Sequence, residues 1–204
     1  MDLTTHPVTP DRFDDFVAVV NPNRRDTHCW CLSHRLSARE VHDLGGGDRE
    51  VAARALGRRG NPPGVVGYDD QGTPVGWCSI GPRADNTRLS SSKLITPIDD
   101  VPVWSIICVV VRGGHRRRGV TTPLIEGAVA YAADRGAPAV EAYPVDPGER
   151  RMDLTMAFVG TRRMFEKAGF EVVGETAAMA SKMPRLVMRR VVTARHESDR
   201  TTKP

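Results

Sequence analysis

The chain has 204 residues, of which 40% are hydrophobic and 26% are charged, an ordinary composition for a globular protein with a sizeable core. No apolar run approaches the ~18 residues of a membrane-spanning helix, and the N-terminus lacks the pattern of a signal peptide. A formal net charge of +4 does not by itself indicate nucleic-acid binding. These features argue against a membrane protein and predict a cytoplasmic location.

The N-terminal part of the chain is predicted to be mainly helical. Thr9 followed by Pro10 is typical of a helix start, with Thr as the cap and Pro at the first helical position. Ser37 and Glu40 have the spacing of a capping box, which predicts a short helix that ends at a run of three glycines. A further helix is expected over residues 48–59.

The hydrophobic pattern changes at residue 64, from helical spacing to the pattern of strands. Residues 65–68 and 74–80 flank a turn and predict a β-hairpin. Residues 101–111 are almost uninterrupted hydrophobics, which is typical of a central strand covered on both faces. The elements expected after them are a helix over 118–135, a strand over 139–143, a helix over 155–168, and strands over 170–173 and 186–192.

This order of elements predicts a mixed α/β fold with helices packed around one sheet. We expect a single domain over residues 1–192, with a helical part at about 9–60 and a core at about 64–192. Residues 193–204 have no apolar periodicity and are predicted to be a disordered tail.

The most informative segment is residues 109–121, with the sequence Val-Val-Val-Arg-Gly-Gly-His-Arg-Arg-Arg-Gly-Val-Thr. A buried strand here runs into a basic turn that opens a helix, so free N–H groups and the positive end of a helix dipole converge. Such a place suits a pyrophosphate, arginines would add charge-assisted hydrogen bonds, and Gly119 lets a ligand approach the backbone closely. A solvated basic loop is the alternative from these residues alone.

Two motifs resemble those of one enzyme family. Arg116, Gly119 and Thr121 form an Arg-x-x-Gly-x-Thr pattern that is similar to the Arg/Gln-x-x-Gly-x-Gly/Ala acetyl-CoA signature of GNAT N-acetyltransferases. Residues 164–170, Met-Phe-Glu-Lys-Ala-Gly-Phe, resemble that family's Leu-Tyr-Glu-Lys-Leu-Gly-Phe helix end. The resemblance covers about residues 64–192 and is thin in the N-terminal part.

The resemblance implies a twisted sheet that is splayed between its fourth and fifth strands, where acetyl-CoA binds as the acyl donor. The pantetheine would pair with the backbone of this fourth strand, and the pyrophosphate would lie on the amides of residues 116–121. Two positions depart from the family pattern: Thr121 replaces Gly or Ala, and Phe165 replaces the Tyr that often protonates the leaving thiolate. The acetyl-CoA-binding residues so implied are Val109, Val110, Val111, Arg116, Arg117, Arg118, Gly119, Val120, Thr121 and Phe165.

Acid–base chemistry is predicted on the fifth strand, because an ammonium acceptor must lose a proton before it can attack. The fourth strand carries no carboxylate, whereas the fifth contains Glu141 and Tyr143, which lie two residues apart and so share a face. In one interpretation Glu141 is the base or anchors the acceptor, and Tyr143 is the proton donor. In the other, Glu141 forms a structural ion pair with an arginine such as Arg162.

Residues 28–34, His-Cys-Trp-Cys-Leu-Ser-His, contain residue types that bind zinc. Cys29 and Cys31 have Cys-x-Cys rather than Cys-x-x-Cys spacing, and no second pair follows, so no metal is expected. A buried apolar plug and a wall of the acceptor pocket are the two other interpretations. With four cysteines and no export signal, we expect free thiols.

The predicted function is direct transfer of an acetyl group from acetyl-CoA to an amine of a small molecule. The loop after the fifth strand is either a solvent-facing linker or part of the acceptor entrance, where Asp146, Glu149 and Asp153 would favour a cationic acceptor. A protein lysine or N-terminal amine is the alternative acceptor. From other classes, we considered a non-catalytic acyl-CoA sensor and a nucleic-acid-binding module built on residues 115–118.

Aromatic residues make up only 5% of the chain and none interleave with the arginines, which argues against nucleic-acid binding. No nucleic-acid partner and no membrane are therefore expected. The partners predicted are acetyl-CoA and an amine acceptor, and a homodimer is compatible with the sequence.

Overall fold

One mixed seven-stranded sheet organises the computed structural model, which describes residues 2–25, 28–148, 158–180 and 182–192. Its strand order is β1-β2-β3-β4-β5-β7-β6, and within the described residues β4 and β5 are the one parallel pair of neighbours. The predicted mixed α/β sheet is therefore confirmed. The strands are β1 (Thr4–Pro7), β2 (Gly64–Tyr68), β3 (Pro74–Pro82), β4 (Trp104–Val111), β5 (Ala139–Ala142), β6 (Glu171–Ala180) and β7 (Met183–Val191).

Helices cover both faces of this sheet. The two that contribute most to the core are α1, whose rings pack on β3, and α5, which packs across β1, β2 and β3. The helices are α1 (Phe13–Val20), α2 (Ala38–Asp43), α3 (Gly46–Leu56), α4 (Thr87–Ser90), α5 (Thr121–Ala133) and α6 (Arg162–Glu166). Short 3-10 turns occur at Pro10–Arg12, Leu32–His34 and Arg83–Asp85.

The core lies on both faces of the sheet because successive strand residues point in opposite directions. On β3, Trp77 packs on the α1 side, where its ring lies 4.5 Å from that of Phe16. Its neighbour Cys78 packs on the α5 side, with Leu124. The prediction that Trp77, Cys78 and Trp104 are core residues is confirmed, since all three are buried.

The predicted helix starts in the N-terminal part are largely confirmed. Pro10 opens a 3-10 turn that leads into α1, and Thr9 takes the cap position, but its side chain makes no capping hydrogen bond. Ser37 forms the expected capping box: its hydroxyl accepts from Glu40 N at 3.2 Å, and the Glu40 carboxylate accepts from Ser37 N at 2.7 Å. The N-terminal strand β1 and the short helix α4 were not predicted. At four residues each, they are too short to show a periodicity.

Several predicted boundaries differ from the structure: α3, α5 and β7 are displaced by two to three residues at one or both ends, and three elements differ in other ways. β4 begins at Trp104 rather than at residue 101, because Pro102 lacks a backbone N–H for the ladder. β6 runs to Ala180, well beyond the predicted end at 173. α6 is described over Arg162–Glu166, whereas the first three residues of the helix predicted over 155–168 lie outside the described residues.

Two further predictions concern the C-terminal tail and membrane-spanning helices. The tail over residues 193–204 lies outside the described residues. Within them, none of the helices has both the length and the hydrophobicity needed to cross a membrane.

Candidate functional site

The sheet opens where β4 and β5 separate. Residues 104–106 of β4 pair with residues 140–142 of β5, and among the described residues this pairing goes no further, although β4 continues to Val111. On its other side, the end of β4 stays paired with β3 through residues 109–111. One edge of residues 109–111 therefore has no neighbouring strand, so its backbone groups are available to an extended ligand.

A cleft of about 250 Å³, here named the β4 cleft, lies along this open edge. Its walls combine the end of β4, the turn that follows, and residues that come after β5. The lining residues are Val109, Val110, Val111, Arg116, Thr121, Phe158 and Met164. The structure thus brings together five of the residues that the sequence analysis assigned to acetyl-CoA binding.

The turn between β4 and α5 directs backbone N–H groups towards this cleft. Gly114, Arg117 and Gly119 have φ angles of 84°, 62° and 78°, so the chain doubles back before α5 begins. No side chain caps α5, and its first N–H groups have no intrahelical partner, which leaves them for an anion at the positive end of the helix dipole. A Cβ at Gly119 would meet no atom of the described residues within 4 Å, so the space in front of this backbone is open.

The side chains of the turn have different positions. Arg116 lines the cleft, and its Nε donates to Val111 O at 3.1 Å, which holds the guanidinium against the end of β4. Arg117 and Arg118 are exposed and do not line the cleft. Val120 is buried and anchors the turn to the sheet.

Phe165 lies in the core behind the cleft rather than on its wall. Its ring is fully buried and packs edge-on against Phe170, with the ring centroids 5.2 Å apart. The neighbouring Met164 lines the cleft instead. A ligand in the β4 cleft would therefore contact the thioether of Met164, with Phe165 supporting the wall.

A second cavity, here named the Tyr143 cavity, adjoins the β4 cleft, and Phe158 lines both. Its volume is about 400 Å³. Segments from the whole length of the chain form it, from the 3-10 turn before α2 to β7. The lining residues are Ser33, His34, Arg88, Leu89, Ser92, Leu94, Ile95, Ile107, Tyr143, Phe158, Val159, Ala178, Met179 and Arg185.

Tyr143 is held by a buried network of charged groups. Its hydroxyl donates to Glu141 Oε2 at 2.8 Å and accepts a hydrogen bond from Arg83. Arg189 donates to Glu141 Oε1 from two nitrogens, at 2.7 and 3.1 Å, and binds Asp99 through two further contacts, at 2.6 and 2.9 Å. Two guanidiniums thus balance two carboxylates, as a buried charge requires.

Burial, followed by the negative charge of Glu141, raises the pKa of Tyr143 above its usual value. The phenol therefore keeps its proton at neutral pH. Arg83 links this hydroxyl to the cavity wall, because another of its nitrogens donates to Ile95 O at 2.7 Å. Arg83 therefore supports the cavity from behind its wall, through Tyr143 and Ile95.

The structure places Glu141 below the cavity floor, with only 2% of its surface exposed. It shares a face with Tyr143, as predicted, and forms the ion pair that one interpretation required. The suggested partner Arg162 is wrong: that residue binds Asp146 at 3.1 Å and Glu166 at 2.7 Å, and the partners of Glu141 are Arg189 and Arg83. Sequence spacing could not identify them, because both come from distant segments.

The cysteine-containing segment is partly core and partly cavity wall. Cys31 is buried, and Trp77 Nε1 lies 3.3 Å from its Sγ, while Cys29 is exposed. A hydrogen bond with Cys108, together with burial, raises the pKa of Cys31, which keeps the thiol protonated and unreactive. Cys31 is buried in the core, as the plug interpretation expects, and His34 of the same segment lines the Tyr143 cavity. In the described part of the chain, no group of three or more His, Cys, Asp or Glu could hold a metal ion.

The sequence analysis missed Arg185, Arg88 and Phe158 as cavity residues. Arg185 lies on β7, where its Nε donates to Tyr143 O at 2.7 Å. A charged residue within an apolar strand is the signal that singled out Glu141, and the same signal was present for Arg185. Arg88 and Phe158 carried no comparable signal.

Comparison with known proteins assigns this architecture to a class. The profile of the Acetyltransferase (GNAT) family matches residues 34–170, which is more than half of the chain. The chain therefore belongs to the GNAT acetyltransferase family, and the predicted resemblance is confirmed. A search of curated proteins by sequence found no match.

Solved structures with the same fold share little sequence with this chain. An acetyltransferase of the GNAT family from Streptococcus pneumoniae has a TM-score of 0.55 at 14% identity and covers 94% of this chain and 100% of its own. Aminoglycoside acetyltransferase AAC(6')-Ib, solved in complex with coenzyme A, has a TM-score of 0.53 at 16% identity and covers 98% of this chain and 99% of its own. The NatC complex bound to Gag peptide and CoA has a TM-score of 0.53 at 11% identity and covers 95% of this chain and 100% of its own. At these identities the likeness shows the fold alone.

Proposed function

We propose that this family member is an N-acetyltransferase that moves an acetyl group directly from acetyl-CoA to an amine of a small molecule. The observation that carries the proposal is the junction of the β4 cleft with the Tyr143 cavity at Phe158. A donor bound along the end of β4 and an acceptor bound in the cavity would meet at this junction.

The β4 cleft has the chemistry that acetyl-CoA requires. The unpaired edge of residues 109–111 offers backbone groups to the amides of pantetheine, and the free N–H groups at the start of α5 offer donors to the pyrophosphate. Arg116 adds positive charge at the wall between them. Arg117 and Arg118 would act on the phosphates through their exposed charge.

The cavity supports a small-molecule acceptor over a protein amine. Its volume of about 400 Å³ is within the range of ligand pockets, roughly 300–1,000 Å³. Its walls come from several segments, which suits a compact ligand better than an extended peptide. A protein lysine or N-terminal amine stays the alternative, and the cytoplasmic location and any homodimer stay predictions.

In the proposed reaction the amine nitrogen bonds to the acetyl carbon, the carbon–sulfur bond breaks, the amine loses a proton and the thiolate gains one. Tyr143 is the proposed proton donor, because its raised pKa keeps it protonated and the residue lines the cavity. Phe165 has no proton to give. Glu141 is proposed as a positioning residue that holds this hydroxyl, and its role as the base stays an open prediction.

The test is thiol release from acetyl-CoA with a panel of amines, run in parallel with calorimetry of coenzyme A binding. We expect coenzyme A to bind and at least one small amine to release the thiol. Binding without release for any amine would favour the acyl-CoA sensor. Absence of binding, with retention on nucleic acid, would support the nucleic-acid-binding module instead.

A further inference from the structure

We infer that the acceptor amine carries an acidic group, a carboxylate or a phosphate-type group, which Arg185 and Arg88 bind in the Tyr143 cavity. The inference rests on the proposed function, because it names the substrate class of the same site. It follows from the charged side chains that line this cavity and from the hydrogen-bond and ion-pair partners of each.

Arg185 is a half-buried guanidinium with bonding capacity to spare. Its Nε donates to Tyr143 O at 2.7 Å, and the residue lines the cavity. Within the described residues, its other two nitrogens have no hydrogen-bond partner, and no carboxylate lies within 4.0 Å of them. Burial lowers the pKa of Arg185 to about 10, because the guanidinium is largely removed from water. An acidic group on the ligand would provide a compensating charge.

The other titratable groups of the cavity do not supply a negative charge. Arg88, on α4, also has no ion-pair partner within the described chain, and His34 faces the same space from the N-terminal part. Burial, followed by the positive charges of Arg185, Arg88 and Arg35, lowers the pKa of His34 to about 4, so its imidazole is neutral at physiological pH. The described wall therefore carries two positive charges and no negative one.

The acids nearest the cavity floor are already neutralised. Glu141 binds Arg189 and Arg83, and Asp99 binds Arg189. The predicted attraction for a cationic acceptor finds no support in this geometry. Asp146 pairs with Arg162 and does not line the cavity, while Glu149 and Asp153 lie outside the described residues. The electrostatics of the described wall favour an anionic ligand over a cationic one.

The amine and the acid of such a ligand have distinct places. The cavity meets the β4 cleft at Phe158, and there the amine must reach the acetyl group. A guanidinium binds a carboxylate or phosphate with two parallel hydrogen bonds, which would fix the orientation of the ligand. Arg185 and Arg88 therefore act as specificity-determining residues, with no part in the bond changes.

The first experiment compares acceptors that differ only in charge. Thiol release is measured with α-amino acids, with their primary amides, with aminoalkylphosphonates and with diamines, over small, aliphatic and aromatic side chains. The α-amine of the amide loses its proton more readily than the α-amine of the acid. Basicity alone would therefore favour the amide, so a preference for the acid cannot come from it. We expect kcat/KM for the acid to exceed that for the amide by roughly 10- to 100-fold, the value of a charge-assisted hydrogen bond. The phosphonate arm shows which acidic group is preferred.

The second experiment locates the preference in the chain. Arg185→Met should bring the acid-to-amide ratio close to 1, and Arg185→Lys should restore part of it. Arg190→Met is the matched control, because Arg190 lies on the same strand, donates to Ala168 O at 2.7 Å and does not line the cavity. It should keep the wild-type ratio. Arg88→Ala, at an exposed position, should lower the ratio without affecting folding.

The outcomes separate the inference from the proposed function. If amides or diamines react as well as the acids, the acyltransferase stands and the inference is overturned. If no amine of any class releases thiol, the proposed function fails, and the His34 imidazole signal in NMR decides the inference. Acetate or phosphate alone should then raise the His34 pKa in the wild type and not in Arg185→Met. An unmoved His34 signal would overturn the inference in that case as well.

Discussion

The β4 cleft and the Tyr143 cavity adjoin each other, yet they are built in opposite ways. Most of the cleft wall comes from one continuous segment, a strand, a turn and a helix start, whose backbone supplies the polar groups. The cavity wall comes from distant segments, and its polar groups are side chains: His34, Arg88, Tyr143 and Arg185. Recognition through the backbone restricts only a few side chains, so the family shares a short sequence motif at the cleft. Recognition through side chains changes with the ligand, so there is no shared motif at the cavity.

The largest expected effect is on stability and concerns the floor of the cavity. Glu141→Gln removes one partner of a buried ion pair and leaves Arg189 and Arg83 with excess positive charge. We expect the free energy of unfolding in urea to fall by about 3 kcal/mol, with coenzyme A affinity unchanged in the folded protein.

Glu166→Gln is the matched control for this change. Glu166 binds Arg162 at the same 2.7 Å, but the two side chains are 44% and 46% exposed. The loss should therefore stay below ~1 kcal/mol. Equal losses in the two variants would mean that the buried network does not support the cavity as described.

The second effect concerns the cleft. Gly119→Glu puts a side chain on a backbone with φ of 78° and a negative charge where the phosphates should lie. We expect coenzyme A affinity, measured by calorimetry, to fall by roughly 100-fold or more, which corresponds to at least ~2.7 kcal/mol.

The control is Gly72→Glu, in the turn between β2 and β3. Gly72 has a nearly equal φ of 73°, and a Cβ there also meets no described atom within 4 Å. It should carry the same backbone strain and leave the affinity unchanged. Similar affinity losses in both variants would assign the effect to strain and separate the turn from coenzyme binding.

The third effect is on turnover and concerns Tyr143, the proposed proton donor. Tyr143→Phe should lower kcat by roughly 10-fold, within the range of acid–base groups, and leave coenzyme A affinity unchanged. The loss should shrink with an acyl donor whose thiol leaves more readily. Tyr131→Phe is the control, because this buried hydroxyl donates to Pro62 O on the other face of the sheet. Wild-type turnover in Tyr143→Phe would remove it from the mechanism.

The last effect is a pH dependence set by the cavity. The His34 pKa of about 4 lies below its ordinary 6.5, so the unfolded chain takes up this proton first as the pH falls. His34 therefore costs stability between pH 6.5 and 4, at up to ~1.4 kcal/mol per pH unit. We expect His34→Gln to flatten this slope in denaturant titrations. A slope that is unchanged in His34→Gln would show that burial and the neighbouring positive charges do not lower the pKa of this residue.

The fold was largely predictable because its determinants are local. The run of hydrophobics before Arg112, the capping box at Ser37 and the helix stripe containing Leu124 each specify one element through periodicity or capping. The four-residue strand β1 was missed because it is too short to show a pattern. β6 was cut short because its alternation is interrupted by register shifts against β7.

The candidate site was predictable where one segment forms it and not where several do. Arg116 and Thr121 were assigned from the resemblance of one short segment to the GNAT signature, and the structure places both on the cleft wall. The partners of Glu141 could not be found, since Arg83 and Arg189 are 58 and 48 residues away in the chain. Only the sheet register, which pairs Glu141 with Arg189, brings these charges together.

The most direct test of the central claim is a crystal structure of the protein with coenzyme A. The claim is that the donor and the acceptor meet where the β4 cleft joins the Tyr143 cavity. The account predicts that pantetheine pairs with the backbone of residues 109–111, that the pyrophosphate contacts the start of α5, and that the thiol sulfur faces Tyr143. A coenzyme bound elsewhere, or one whose sulfur faces away from the Tyr143 cavity, would contradict it.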